Sequence, residues 1–320
     1  MNTTAGTPLA AQAPLFIVLN TGSGSHRGNE VEDSIRQVLE TAGRRFEMFS
    51  VRGGKDLDST ARQALERARS EQGAVIAAGG DGTLNAVANV VLGSDVPFGI
   101  LPQGTFNYFG RTYGISQDTE TATRCLLDAV IEPVQVGLLN GRVFLVNASL
   151  GLYPDLLEDR EAYKQRYGRS RWVALWSALV TLTRAHRQFS VQLETREQLR
   201  HLRTQTIVVD NNALQLEHIG IDEQSRLQHG QLVAITARPL GTLALYGMVL
   251  RGLLSRMGDA DQVSSFGFRR MRVRLGHRRR RVKVAMDGEI CWMQSPLLFQ
   301  VADQPLPLLV PRDDSQRERA

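Results

Sequence analysis

Apolar and polar positions divide this chain into two unlike halves. In the first, short apolar runs at Leu15–Asn20, Phe46–Val51, Ala74–Ala78 and Pro97–Leu101 read as strands. Segments of helical period separate them. Val31, Ile35, Val38 and Leu39 share one face of a helix that ends near Ala42, and further helices are expected at Asp56–Arg69, Leu84–Val91 and Asp118–Ala129. The second helix is expected to be capped near Asp56 or Asp58. Strand–helix alternation of this kind predicts an α/β, Rossmann-like domain with a parallel sheet.

Beyond about residue 132 the period changes to two. Val134–Leu139 and Arg142–Ser149 flank Asn140-Gly141, a hairpin signal. Ile207–Val209, Gln231–Thr236, Arg270–Leu275, Arg281–Met286 and Leu297–Val301 are further strands, so an antiparallel β-sandwich is expected. The division expected is 1–132, 133–312 and a frayed charged tail at 313–320. Two helical stripes interrupt the β region: Trp172, Leu175, Trp176, Leu179 and Val180, then Leu243, Tyr246, Leu250, Leu253 and Leu254. Covering the β core explains both; a greasy wall for a lipid chain is the functional alternative.

Composition narrows the picture. A chain of 320 residues with 42% hydrophobic content suits two globular domains. Cys125 and Cys291 lack metal or redox spacing, and the six histidines form no ligand pair. No signal peptide is visible, and the longest uncharged stretches, Trp172–Thr183 and Pro239–Leu250, are too short to span a bilayer. A cytoplasmic protein is expected, with peripheral contact to the inner face of a membrane.

Net charge is +5, carried almost wholly by arginine; Lys55, Lys164 and Lys283 are the only lysines. Nine Arg or Lys fall within the sixteen residues Arg269–Val284, where Met271, Val273 and Leu275 alternate with Arg270, Arg272 and Arg274. This reads as a hairpin turning at Gly276–Arg279. Its basic face is either a charged, self-protecting edge or a patch for anionic lipid headgroups. Nucleic acid is not expected as a partner, because no aromatics interleave with the cations. Self-association as a homodimer stays open.

The candidate chemistry centres on Gly79-Gly80-Asp81-Gly82-Thr83, between an apolar strand and a helix start. Glycines let backbone approach a phosphate, and helix N–H groups point at it. Asp81 would repel that phosphate unless a cation intervenes, which favours Mg²⁺-assisted phosphoryl chemistry. Gly22, Gly24 and Gly28 miss the dinucleotide fingerprint by one position, although Asn20 and Ser23 remain contacts for phosphate or ribose. By strand alternation, Asp287 lies on the side of Arg281 and Lys283, neighbours that would keep it ionised and ready to accept a hydroxyl proton.

Gly79–Asn85, Leu101-Pro102-Gln103-Gly104-Thr105-Phe106-Asn107, Asn147-Ala148-Ser149-Leu150-Gly151 and Asp287-Gly288-Glu289 occur in that order. Together they resemble the bacterial diacylglycerol kinase catalytic-domain family, related to sphingosine and ceramide kinases, over about residues 14–302. The resemblance implies an N-terminal nucleotide domain, a C-terminal β-sandwich for the lipid acceptor, and ATP with Mg²⁺ in a cleft between them. It implies phosphate contacts from Gly79, Gly80, Asp81, Gly82, Thr83 and Asn85, and nucleotide contacts from Asn20, Ser50, Gly104 and Thr105. It makes Asp287 the base and Asp81 the Mg²⁺ organiser or, in some schemes, the base itself. The activity implied is phosphoryl transfer from ATP to a lipid hydroxyl in phospholipid metabolism. Two positions depart from the pattern. His229 stands where relatives carry an Asp at a structural cation turn, and Tyr108 replaces an Asp after Asn107. Two alternatives stand beside this reading: a soluble-acceptor kinase of the NAD kinase type, and a non-catalytic nucleotide- or lipid-binding regulator.

Overall fold

In the computed structural model, residues 6–23, 25–54, 56–104, 106–155, 157–158, 189–195, 199–237, 263–276, 281–313 and 317–318 are described. Both tryptophan- and leucine-striped helices expected from the sequence lie outside them. The chain forms two compact units, Met1–Val136 with Ala302–Ala320, and Gly137–Val301. The first contains β1 (Thr7–Pro8), β2 (Leu15–Asn20), α1 (Ser25–Thr41), β3 (Phe46–Val51), α2 (Leu57–Glu71), β4 (Ala74–Gly79), α3 (Asp81–Val91), β5 (Phe98–Pro102), α4 (Tyr108–Thr112), α5 (Thr119–Leu127) and β6 (Ala129–Val134). The second contains β7 (Gly137–Leu139), β8 (Arg142–Phe144), β9 (Asn147–Gly151), β10 (Phe189–Thr195), β11 (Leu199–Thr204), β12 (Thr206–Asp210), α6 (Ala213–His218), α7 (Gln224–Gln228), β13 (Leu232–Ala237), β14 (Val263–Phe268), β15 (Arg270–Leu275), β16 (Arg281–Met286), β17 (Glu289–Gln294) and β18 (Leu297–Val301). The last strand, β19 (Leu306–Pro311), returns to the first unit.

The first unit is the expected α/β domain. Its sheet runs β1-β6-β19-β5-β4-β2-β3, and β3, β2, β4 and β5 are parallel. Leu15, Ile17, Ile76, Ala77 and Phe98 are fully buried, as strands covered by helices on both faces require. Asp56 occupies the N-cap position of α2 without a side-chain cap bond. Asp118 does cap α5, accepting the Thr121 N–H at 2.8 Å, a bond of about 1 kcal/mol.

The division differs from the expected one. The boundary falls at Val136/Gly137 rather than 132, and residues 302–320 join the first unit. Strand β19 pairs with β6 along its length and touches β5 at Leu308. Part of the tail is held: Glu318 N–H donates to Gly114 O at 2.9 Å, and Arg317 pairs with Glu132. Helix α5 stops at Leu127, which frees Ala129–Val134 to form β6.

The second unit is a sandwich of two six-stranded sheets, β11-β10-β15-β18-β7-β8 and β14-β13-β12-β9-β16-β17. The expected Asn140-Gly141 hairpin joins β7 to β8, with φ of 49° and 81° at its corner. The expected basic hairpin does not form. β15 pairs with β10 and β18 in one sheet; β16 pairs with β9 and β17 in the other. Neither is an edge strand. Alternation fixed which residues face inward, and Met271, Val273, Val282 and Val284 do meet in one core. Alternation carries no information about which strand lies alongside.

Candidate active site

In the first unit, the chain leaves β2 for β3 on one side and later returns to β4 on the other. The loops that follow β2 and β4 therefore lie side by side at the carboxyl ends of the strands, where such sheets bind ligands. Asn20 ends β2, and its Nδ2 donates to Thr83 Oγ1 at 2.9 Å. Its Oδ1 accepts the Gly22 N–H at 3.0 Å. Thr83 packs over Gly79, where a Cβ would lie 2.6 Å from the Thr83 Cβ. Gly79 is thus dictated by close approach. Helix α3 starts at once, with Gly80 as its N-cap, and the N–H groups of Thr83 and Leu84 turn back to Gly80 O. The positive end of the helix dipole sits at this turn.

The loop after β5 joins the same edge. Gln103 N–H donates to Gly79 O at 2.8 Å. A Cβ on Gly104 would lie 2.5 Å from Asn107 Oδ1 and 3.3 Å from Asp81 Oδ2. Asn107, buried and at φ 46°, clamps this corner: Oδ1 accepts the Gly104 N–H at 2.9 Å, and Nδ2 donates to Gly104 O at 3.1 Å and to Gln117 Oε1. Burial pushes the Asp81 carboxyl above its ordinary range, opposed by the backbone N–H groups of Asn107 and of Asp81 itself. Phe106 is 47% exposed and stacks on Tyr108 with ring centroids 6.0 Å apart.

Asn20, Gly79, Gly80, Asp81, Thr83 and Gly104 are therefore brought together, with Gly82 and Asn85 on the first turns of α3. Ser50 sits one strand away, beside Leu19 in register, with its Oγ 3.4 Å from Glu32 Oε2. Thr105 lies outside the described residues. Asn107 was legible as part of a motif, but its clamping role was missed.

In the second unit, Asp287 and Gly288 form the two-residue turn between β16 and β17, at φ 47° and 86°. The Asp287 carboxylate accepts three backbone N–H groups: Leu145 at 2.7 Å to Oδ2, Val146 at 2.8 Å and Asn147 at 3.0 Å to Oδ1. Its own N–H donates to Asn147 O at 2.9 Å. This corrects the expected neighbours. Asp287 lies past the strand end, while Lys283 is engaged by Asp155 at 3.2 Å and Glu158 at 2.6 Å. His229 closes α7, its Nδ1 lying 2.5 Å from Ser225 O.

Sequence reading missed Asp210, which ends the apolar strand β12 opposite Asn147. Its Oδ1 accepts the Asn212 N–H at 2.7 Å. Burial pushes its carboxyl well above the usual range, and the Asp287 charge adds to the rise. Asp210 Oδ2, Asn147 Oδ1 and Ser149 Oγ are buried without a hydrogen-bond partner. The available signal was an acid closing an apolar run, Ile207-Val208-Val209-Asp210, where an exposed loop residue would be ordinary.

Comparison with known proteins supports the resemblance read from the sequence. Residues 14–139 match the family model described as the diacylglycerol kinase catalytic domain. A diacylglycerol kinase of Staphylococcus epidermidis is 34% identical over 139 residues, 42% of each chain. One from Bacillus subtilis is 32% identical over 146 residues, 45% of this chain and 47% of the relative. The match thus spans less than half the length of these relatives. The fold likeness is wider: a crystal structure described as a diacylglycerol kinase from Bacillus anthracis aligns with a TM-score of 0.70 at 19% identity, covering 95% of this chain and 98% of that one.

Proposed function

We propose that this protein is an ATP-dependent lipid kinase, transferring the γ-phosphoryl group to the hydroxyl of diacylglycerol or a similar membrane lipid alcohol. The observation that carries the reading is the Gly79–Thr83 turn, tied to Asn20 and packed on Gly104, within a segment that matches a diacylglycerol kinase catalytic domain.

A strand, a glycine corner and an eleven-residue helix make a cradle for a phosphate chain. Asp81 suits that cradle only if a cation accompanies the phosphates. Among the described residues no three His, Cys, Asp or Glu side chains cluster as a metal cage. One carboxylate beside substrate phosphates is the donor set Mg²⁺ accepts, since it keeps most of its shell as water and phosphate oxygens. Mg²⁺ held there by Asp81 would neutralise charge on the transferred group.

The chain's own residues do the rest. The α3 N-terminus and the Gly79–Gly80 backbone hold the phosphates, and Asn20 and Asn107 fix the two loops that flank them. Asp287 takes the acceptor's hydroxyl proton as the acceptor oxygen bonds to the γ-phosphorus. The bond from that phosphorus to the bridging oxygen breaks, and ADP leaves. Three backbone donors hold the Asp287 carboxylate in one orientation, so no ordering is needed at reaction.

The test is incubation with γ-labelled ATP, Mg²⁺ and a total membrane lipid extract. Label in an organic-phase lipid is expected. Label confined to a water-soluble product would favour a soluble-acceptor kinase, and ATP binding without transfer would favour a regulator; either result overturns the proposal.

A further inference from the structure

One face of the second unit has a composition that the phosphoryl chemistry does not use. In the sheet β11-β10-β15-β18-β7-β8, Ser190 pairs with Arg203, Gln192 lies between His201 and Arg274, and Glu194 lies between Leu199 and Arg272. These side chains share one face, because Val191, Leu193, Met271, Val273 and Leu275 at the alternate positions fill the core. Arg270 belongs to the same row. Among the described residues the face therefore carries four guanidiniums and an imidazole against one carboxylate, Glu194, which already lies 3.4 Å from Arg272 and 3.8 Å from Arg274.

Edge protection does not account for this charge. Of the strands that carry it, β11 alone is an edge, and Arg270, Arg272 and Arg274 stand on the interior strand β15. Leu199, 56% exposed, sits in the edge row itself, where protection would call for a charge. A cavity of about 670 Å³ opens on the face, lined by Gln192, His201, Arg203, Arg274 and Pro296 among others. It is separate from Asp287: Ser295 and Pro296 follow the far end of β17, whose six residues span roughly 20 Å from the Asp287 turn.

We propose that this face docks the protein on an anionic bilayer surface. Guanidiniums pair with lipid phosphates, Leu199 enters the interfacial region, and the cavity receives a single anionic headgroup. The inference deepens the lipid-acceptor reading and rests on it for its purpose. Binding is measured without nucleotide, so a failure of docking and a failure of phosphoryl transfer are separate results.

The experiment is co-sedimentation with vesicles of phosphatidylcholine alone or mixed with phosphatidylglycerol. The parent protein should bind the mixed vesicles and leave the neutral ones. The R203Q/R274Q double variant should lose about 25-fold in partitioning, roughly fivefold for each cation removed near the surface. Leu199→Ser should weaken binding with no change of charge. R62Q/R124Q, which removes two exposed arginines from α2 and α5, should stay within about twofold of the parent. Equal binding to neutral vesicles, or equal losses in the two double variants, would overturn the proposal. Displacement by millimolar inorganic phosphate at fixed ionic strength would also overturn it, by assigning the cavity to free phosphate. Unchanged thermal unfolding of each variant separates lost docking from lost fold.

Discussion

Asp81 and Asp287 both sit at glycine-flanked turns that follow a strand, yet their surroundings are opposite. Asp81 begins a helix, is half-buried against Gly104, and burial raises its proton affinity. Asp287 caps three backbone N–H groups of the β8–β9 connection and has its charge met by the protein itself. One carboxylate has its orientation fixed by the fold. The other, under the proposed function, would be completed by a cation and a phosphate. The same side chain after the same kind of turn is thus fixed by backbone donors in one unit and set mainly by burial in the other.

Replacing each acid tests that contrast. Asp287→Asn should lower turnover by about 10²–10⁴, the range for a lost general base, while nucleotide binding by the first unit is retained. It should also lower the unfolding temperature, because an amide nitrogen then faces backbone donors. Unchanged turnover would remove Asp287 from the chemistry. Asp81→Asn should behave differently: the gain in nucleotide affinity on adding Mg²⁺ should fall at least about tenfold, roughly 1.4 kcal/mol, without loss of apo stability near neutral pH. Calorimetry with and without Mg²⁺ reads this directly, and a preserved metal effect would refute the assignment.

Smaller effects refine the comparison. Gly79→Ala forces a methyl into Thr83 and should destabilise the first unit by about 1–3 kcal/mol, visible as weaker ATP binding and earlier unfolding. Asp210→Asn should do the reverse in the second unit. The folded-state proton affinity of Asp210 is raised, so its stabilising contribution is full below the ordinary carboxylate range and is lost as pH rises through the folded value. The variant should therefore be more stable than the parent near neutral pH, by on the order of 1 kcal/mol, with the advantage vanishing in acid. An advantage that persists at low pH would mean that Asp210 does not titrate in the fold.

The α/β half was legible because its signals are local. Apolar runs closing on Gly79, Gly104 and the Asn20 loop define strands, turns and ligand edge within single stretches of sequence. Asp81 stood out for the same reason, as an acid where a phosphate is expected. What escaped was pairing over distance. Leu306–Pro311 reads as an apolar segment broken by prolines, yet it pairs with β6, where Pro307 faces Pro133 and neither has an N–H to offer. The partners of β15 and β16 were likewise hidden, because a basic, period-two stretch looks the same whichever sheet takes it. Asp210 and the three donors to Asp287 depend on contacts across many tens of residues, beyond the reach of a motif.

The return of β19 to the first sheet sets the order in which the chain can be finished. A ribosome releases the strands β2 to β6 early, but the gap between β5 and β6 is filled only by residues near the end of the sequence. Until then the first unit carries two open apolar edges, one of them the wholly buried strand Phe98–Pro102. A product that stops before Leu306 should therefore keep an exposed, sticky edge beside the Gly79–Gly82 turn and aggregate rather than persist as a half-finished sheet.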